Sequence, residues 1–409
     1  MKRKLYFWAK KHINNENVKL ALMLVPLVVI LVQQISNNQF EWSSFFDVGI
    51  LVTFLLLVLS DFIVNSMQKM IAKNTEDQAK VTNDYESLVK RYNCMNLVEY
   101  QGIVLPEECL CMRTKEEEIV FADEPETFYE LPGRLSDHAK KLMEAHSASN
   151  IYNQINIRLD DLKKDEEQGR IVLHTSRTQY FDSLMTNRCC DYVYEDGTVT
   201  IRDFYEPGPF LKPLRLSQFS NHLGFNGFVI TKDGKIPFIY RKDSLSIAKH
   251  TWATSIGASL KAKYALDSEN GYSIRPDSFG KAIVGEIKDE LRISDDSALT
   301  VSNAQDSIFA FYRDLVEAGK PQFLFVLQLN ERTAVEVETG IKAKQKRKDK
   351  KNDMSTDGDR VAFFSIEELR EAKLEVDKMT VAGKEYVMMP SVVVSIVLLL
   401  KYLEEKDRD

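Results

Sequence analysis

Three carboxylates stand close together in the chain: Glu286, Asp289 and Glu290. Their spacing is i, i+3 and i+4, which gathers them on one face of a helix. Ile283, Ile287 and Leu291, at i, i+4 and i+8, share another, apolar face. Like charges on one face repel each other. An oxygen-preferring divalent cation such as Mg²⁺ between them would relieve that repulsion. An acidic face turned to solvent has the same pattern, and the spacing alone does not separate the two. The element that must position the set is a helix over residues 278–291. Gly285 lies inside it, where glycine costs about 1 kcal/mol relative to alanine.

A second group could bind rather than catalyse. Arg241 and Lys242, and further on Arg313, could meet phosphates through charge-assisted hydrogen bonds. Trp252 could stack on a base. Each has a plainer reading: surface cations are abundant, and a lone tryptophan usually belongs to a core. The run "LGFNGFVI–TKDGK–IPFIYRK" predicts a hairpin, two apolar strands around an Asp233–Gly234 turn. "HTWATSIGAS" predicts a strand ending in a glycine turn. "SVVVSIVLLL" at 391–400 is too short to span a bilayer. It predicts a buried C-terminal helix with Pro390 in its first turn.

The chain has 409 residues, enough for about two or three domains. A net charge of −7 argues against a surface built for a nucleic-acid polymer. Its five cysteines, Cys94, Cys109, Cys111, Cys189 and Cys190, lack the paired spacing of a zinc site. They read as reduced thiols of a cytosolic compartment. Residues 67–93 carry apolar positions at helical spacing, as a stalk or as a helix packed on its own domain. Residues 96–215 read as a mixed α+β extension. Within it Ser136 caps a helix, and "QINIRLDD" and "RIVLHTS" are strands around a charged turn. Residues 342–351, "KAKQKRKDKK", hold seven basic residues in ten. They read as a flexible loop, with contact to anionic lipid or nucleic acid as the sharper alternative.

The N-terminus is different. Residues 18–35 and 45–64 are each close to the roughly 20 apolar residues that a membrane helix needs. The joining segment "SNNQFEWSS" suits a tight hairpin with Trp42 at the water boundary. Residues 1–12 carry five Lys or Arg and no acid, and Lys69 and Lys73 follow the second span. The loop between the spans has no basic residue, so both termini are expected on the cytoplasmic side of the membrane. Asp47 and Asp61 mark the ends of the second span, or line a polar seam when several hairpins associate.

The segment from 271 to 293 resembles the Nudix hydrolase box. Gly271, Asp277, Gly285-Glu286-Ile287, Asp289-Glu290, Arg292 and Ile293 take the box positions. "FYRDLVEAGKPQFLFVLQL", read as helix, turn and strand, and "RVAFFSIEEL", read as strand and helix, are also similar to the family. The similarity covers residues 216–409 and implies an α/β/α sandwich. It implies that Glu286, Asp289 and Glu290 are the metal ligands. Gly285 stands where the family has an arginine that orients a glutamate, and Arg292 where it has a glycine. A misplacement of about 1 Å slows catalysis steeply, so these departures imply a pocket better suited to binding than to hydrolysis.

Two membrane helices before a degenerate Nudix-like domain resemble the membrane effectors of CBASS, bacterial antiphage systems run by cyclic oligonucleotides. That resemblance implies a four-part chain: a hairpin (1–66), a stalk (67–95), the α+β extension (96–215) and the Nudix-like domain (216–409). It implies a cyclic oligonucleotide ligand, the lipid bilayer and further copies of the chain as partners, and no required cofactor. The rival readings are a membrane-tethered Mg²⁺-dependent hydrolase of a nucleoside diphosphate-linked substrate, and a scaffold with no nucleotide ligand.

Overall fold

The computed structural model describes residues 81–82, 84–144, 146, 153–194, 199–241, 250–265, 272–350 and 360–408. The expected membrane hairpin, the first part of the 67–93 helix, Lys242 and Gly271 lie outside the described residues. In chain order, α1 (Tyr85–Arg91), the pair β1 (Leu97–Tyr100) and β2 (Ile103–Pro106), and β3 (Leu110–Met112) come first. They are followed by β4 (Glu118–Phe128), α2 (Gly133–Glu144), β5 (Ile155–Asp165) and β6 (Arg170–Gln179). α3 (Tyr180–Met185), β7 (Val193–Tyr194), β8 (Val199–Thr200) and α4 (Ile201–Tyr205) complete the first part of the described residues, called the N-terminal third below. As expected, β5 and β6 pair antiparallel around a charged turn, and β4 joins them parallel to β6.

Next come β9 (Gly224–Ile230), β10 (Lys235–Tyr240), β11 (Trp252–Ala253), β12 (Ile256–Ser259), α5 (Pro276–Glu290) and α6 (Val301–Asp306). β13 (Ile308–Asp314), β14 (Lys320–Gln328), α7 (Ala334–Lys350), β15 (Val361–Ser365) and α8 (Ile366–Arg370) follow. The chain ends with β16 (Lys373–Glu375), β17 (Lys378–Val381), β18 (Lys384–Val387) and α9 (Pro390–Lys406). The fold is mixed α/β, as the sequence predicts.

The central sheet runs β12-β9-β14-β13-β3, with β9 and β14 parallel and the other neighbours antiparallel. Successive side chains of a strand point to opposite faces, so an all-apolar strand must be covered on both. Phe225, Phe323 and Phe325 face the core beneath α5, where Phe279 stacks on Phe323 with ring centroids 4.4 Å apart. Phe228, Leu324 and Phe309 belong to the other core, with Val393, Ile396 and Val397 of α9. Phe309 stacks on Tyr402 at 4.9 Å. The N-terminal third is built into this arrangement: β3 is the edge strand beside β13, and Tyr85, Leu88 and Tyr92 are buried in the α9 core. The last turns of the 67–93 segment thus pack on the domain. As expected, α9 is a buried helix with Pro390 in its first turn. Among the described residues no helix is long and apolar enough to cross a membrane.

Four expectations are corrected. β9 and β10 are both present with the turn at Gly234 (φ +74°), yet they enter different sheets. Pro237 has no N–H for a ladder. The Ser255 hydroxyl lies between the strands instead, donating to the Pro237 carbonyl at 2.8 Å and accepting from the Val229 N–H at 3.1 Å. Gly257 is inside β12, opposite Asn226, and makes no turn. "FYRD" is the end of strand β13 rather than a helix, because burial on both faces removes the alternation that marks a strand. Residues 342–350 continue helix α7 rather than forming a loop. Lys, Arg, Ala and Gln are good helix formers, and cations suit a helix C-terminus.

α5 and α6 touch closely at Gly280, where an added Cβ would stand 2.1 Å from the Val301 carbonyl oxygen. Backbone cannot yield as a side chain tip can. Gly280→Ala is expected to destabilise the protein by about 3 kcal/mol, whereas Gly133→Ala, with open space at its Cβ, changes stability by less than about 0.5 kcal/mol. Denaturant unfolding of the full chain in detergent measures both; equal stabilities would refute the close contact.

Candidate functional site

α5 presents its carboxylates in three different environments. Glu286 is only 5% exposed and forms an ion pair with Lys261. The Tyr264 hydroxyl donates to the same oxygen at 3.0 Å. Both partners come from the segment after β12, where a short turn over Ala262–Ala265 lays Tyr264 against the helix. Gly285 makes room for that ring: a Cβ there would lie 2.9 Å from the Tyr264 hydroxyl. Glu290 is half-buried and Asp289 is exposed. Asp277 pairs with Lys281 one turn along, at 2.6 Å. Among the described residues no group of three His, Cys, Asp or Glu could hold a metal ion. Glu286 thus differs from Asp289 and Glu290 in burial and in its partners. The charge of Glu286 is met by a lysine ammonium.

Just beyond the end of α5, Arg292 adopts φ +60°. This left-handed conformation costs a side-chain-bearing residue roughly 1 kcal/mol.

The three expected binding residues are held separately. Trp252 is half-buried and packs edge to face on Tyr240 at 5.3 Å and on Tyr386 at 5.5 Å. Its place is beside the α9 core. Arg241 follows the end of β10, with its backbone N–H bonded to the Thr251 carbonyl at 2.9 Å. Its Nε is buried with no hydrogen-bond partner among the described residues. Arg313 ends β13 and donates from Nε to the Gly319 carbonyl at 3.2 Å, while its Nη2 is buried without an acceptor among the described residues. Arg313 lines a cleft of about 510 Å³ that neither Arg241 nor Trp252 lines.

The sequence gives little sign of the polar network around the β13–β14 turn, "DLVEAGK". Asp314, Glu317 and Lys320 are all buried there. Lys320 pairs with Glu317 at 3.0 Å. Burial pushes the Glu317 carboxyl up, but Lys320 and Arg188 outweigh it and hold the group below its usual value. Asp314 goes the other way: burial and the neighbouring Glu317 push it up to about 7. It accepts from the Val316 N–H at 2.9 Å and from Gln322 at 3.3 Å, and Gln322 in turn accepts from Asn226. Glu206, 1% exposed, is also pushed up to about 7 by burial, against the Lys212 N–H that donates to it at 3.1 Å. A pattern of charged residues in a turn between apolar strands could have flagged the turn. Burial of those charges comes from the N-terminal third packing over it.

Compared with known proteins, the chain matches no family model, and no curated protein matches it.

Removing one partner of a buried ion pair leaves an uncompensated charge, which costs about 3–5 kcal/mol. Lys261→Met is therefore expected to destabilise the protein by that amount. Lys261→Met combined with Glu286→Gln recovers most of the loss in the same unfolding assay; no recovery would mean that Lys261 stabilises through something other than Glu286.

Glu206 supplies a pH test. A carboxyl raised in the folded state stabilises below its unfolded value of 4.5, and that contribution is lost as pH rises through about 7. Glu206→Gln should match the natural chain near pH 4 and exceed it by roughly 3 kcal/mol above pH 8. Melting temperatures that stay parallel across that range would refute the shift.

Proposed function

We propose that this chain is a membrane effector of bacterial antiphage defence. On this reading the 216–409 region is a Nudix-like α/β/α sandwich converted from hydrolysis to sensing of a cyclic oligonucleotide. Binding joins copies of the chain, and the hairpins of residues 18–64 then associate and disrupt the inner membrane. Both termini stay cytoplasmic, no metal cofactor is required, and Asp47 and Asp61 line the lesion.

The observation that carries this reading is the Lys261–Glu286 ion pair beside Gly285. A hydrolase needs its carboxylates held on a cation and a water. Here the central carboxylate is already neutralised by the protein itself. A binding pocket tolerates that exchange, because it needs affinity rather than sub-ångström alignment of a nucleophile. The Nudix-like assignment is supported by the parallel β9–β14 pair, by α5 following β12, and by the left-handed backbone at Arg292. The membrane part rests on the two apolar spans and the distribution of basic residues around them.

Two measurements test the proposal. Full-length chain in nanodiscs, titrated with cyclic di- and trinucleotides, is expected to bind one of them tightly and release it intact. Cells making the chain together with that nucleotide are expected to lose membrane potential, and cells making a chain without residues 1–66 to keep it. Full potential in the first cells would overturn the effector mechanism. Mg²⁺-dependent release of a mononucleotide from a linear nucleoside diphosphate, abolished by Glu286→Gln, would establish a hydrolase instead.

A further inference from the structure

Two neighbouring strands of the central sheet lack a side chain where a cation lies over them. β12 is the edge strand of that sheet, and its exposed Gly257 stands opposite Asn226 of β9. A Cβ on Gly257 would lie 4.0 Å from Arg241 Nη1 and 3.4 Å from Asn226 Oδ1. Two residues earlier in β9, a Cβ on Gly224 would lie 3.0 Å from Lys320 Nζ. Side chains alternate along a strand, so Gly224, Asn226 and Gly257 share one face of the sheet. Glycine inside a strand marks a place where another group comes close to the backbone.

Arg241 overhangs this recess and is half-buried. Its Nε is closed off, but Nη1 and Nη2 are not, and neither has an acceptor among the described residues. Asn226 donates its amide N–H to Gln322, which leaves Oδ1 as an open acceptor beside Arg241. The Leu260 N–H donates to the Leu223 carbonyl at 2.8 Å, so the ladder's alternation turns the Gly257 N–H outward, to the free edge of the sheet.

The charges here leave a positive surplus. Lys320 pairs with Glu317 at 3.0 Å, and Arg188 stands 3.9 Å from it. Lys320, Arg188 and Arg241 together favour the charged form of Glu317. Asp314, the second carboxyl, is pushed up to about 7 by burial and by Glu317. Burial, Lys320 and Arg188 keep His222 well below its usual value, so it adds no charge. Arg202 is balanced by Asp191. Three cations thus face one full carboxylate and one that is partly protonated near neutral pH, a balance that attracts an anion.

We infer that this recess binds a phosphate ester that carries a hydroxyl beside its phosphate. The phosphate meets Arg241, with the Gly257 N–H as a second donor, and the hydroxyl donates to Asn226 Oδ1. A ribonucleotide and a glycerol-type lipid headgroup both have this chemistry. The inference deepens the sensing reading and rests on it for the ribonucleotide as the source.

Ligand-observed NMR on the full chain in a non-ionic detergent tests it, with adenosine 5′-monophosphate, glycerol 3-phosphate and adenosine as probes. Both esters are expected to bind, and the tighter one names the source. Adenosine, which has the hydroxyls without the phosphate, should bind at least about 10-fold more weakly. Arg241→Met should weaken both esters by about 10-fold or more, the loss of a hydrogen bond to a charged group. Gly257→Val places its Cβ at ordinary contact distance from Asn226 and Arg241, so the strand keeps its place while the recess is filled. It should abolish binding with every charge retained. Adenosine as tight as its monophosphate, or ester binding that survives both variants, would overturn the inference. A cyclic oligonucleotide that binds the Gly257→Val chain undiminished, with no ester binding to the natural chain, would sink this site and leave the sensing reading standing. Ester binding that Gly257→Val abolishes, without any cyclic ligand, would uphold the site and count against that reading.

Discussion

Arg202 is fully buried and is the residue on which the site's geometry depends. Its guanidinium makes two bonds to Asp191, at 2.7 and 2.9 Å, and donates to the carbonyls of Leu315 and Val316 at 2.8 and 2.7 Å. A guanidinium without such partners would be too costly to bury. Burial works against the charge, but Cys190 and Asp191 outweigh it. The N-terminal third therefore cannot lift from the sheet without exposing or orphaning this group. The two carbonyls belong to the turn between β13 and β14, so the same contact fixes Asp314, Glu317 and Lys320 on one side and Arg313 on the other. Residues 96–215 carry no recognisable chemistry of their own, and here they act as the wall that buries and orders the turn.

The α5 region sets the carboxylates of one helix in different electrostatic surroundings. Three carboxylates at helical spacing ask for a cation. The chain answers the most buried of them with Lys261, and the hydroxyl of Tyr264 fills the gap that Gly285 leaves. The other two remain nearer solvent, where water screens their mutual repulsion. Lys261 is a fixed internal counter-ion for Glu286 and ties α5 to the segment after β12.

Around the β13–β14 turn, acids and bases are arranged so that neighbouring carboxyls differ in their affinity for protons. Lys320 and Arg188 favour the charged form of Glu317, while the already charged Glu317 disfavours a second charge on Asp314. Glu206 is raised mainly by burial, since one of its oxygens has no partner among the described residues. Burial by the N-terminal third packed over the end of the sheet thus raises Asp314 and Glu206, while Glu317 beside its cations is lowered.

By itself the sequence determined what periodicity and composition can encode. The apolar stripe of Ile283, Ile287 and Leu291 specified α5, the alternation in 155–179 specified the β5–β6 pair, and Pro390 with its apolar run specified α9. It also specified two apolar spans at the N-terminus and the mixed α/β class. Tertiary structure decided whatever depends on which distant groups meet. Strand β13 reads as a helix because both of its faces are buried, so no alternation survives in the sequence. β9 and β10 read as a hairpin, yet Pro237 and Ser255 send them to different sheets. Nothing in the spacing of Glu286 shows that Lys261, 25 positions earlier, is folded against it. Trp252 and Arg313 read as one binding group, but strand pairing puts the first beside the α9 core and the second at a cleft. Local spacing fixes which face a side chain is on, and only the packed fold fixes what waits there.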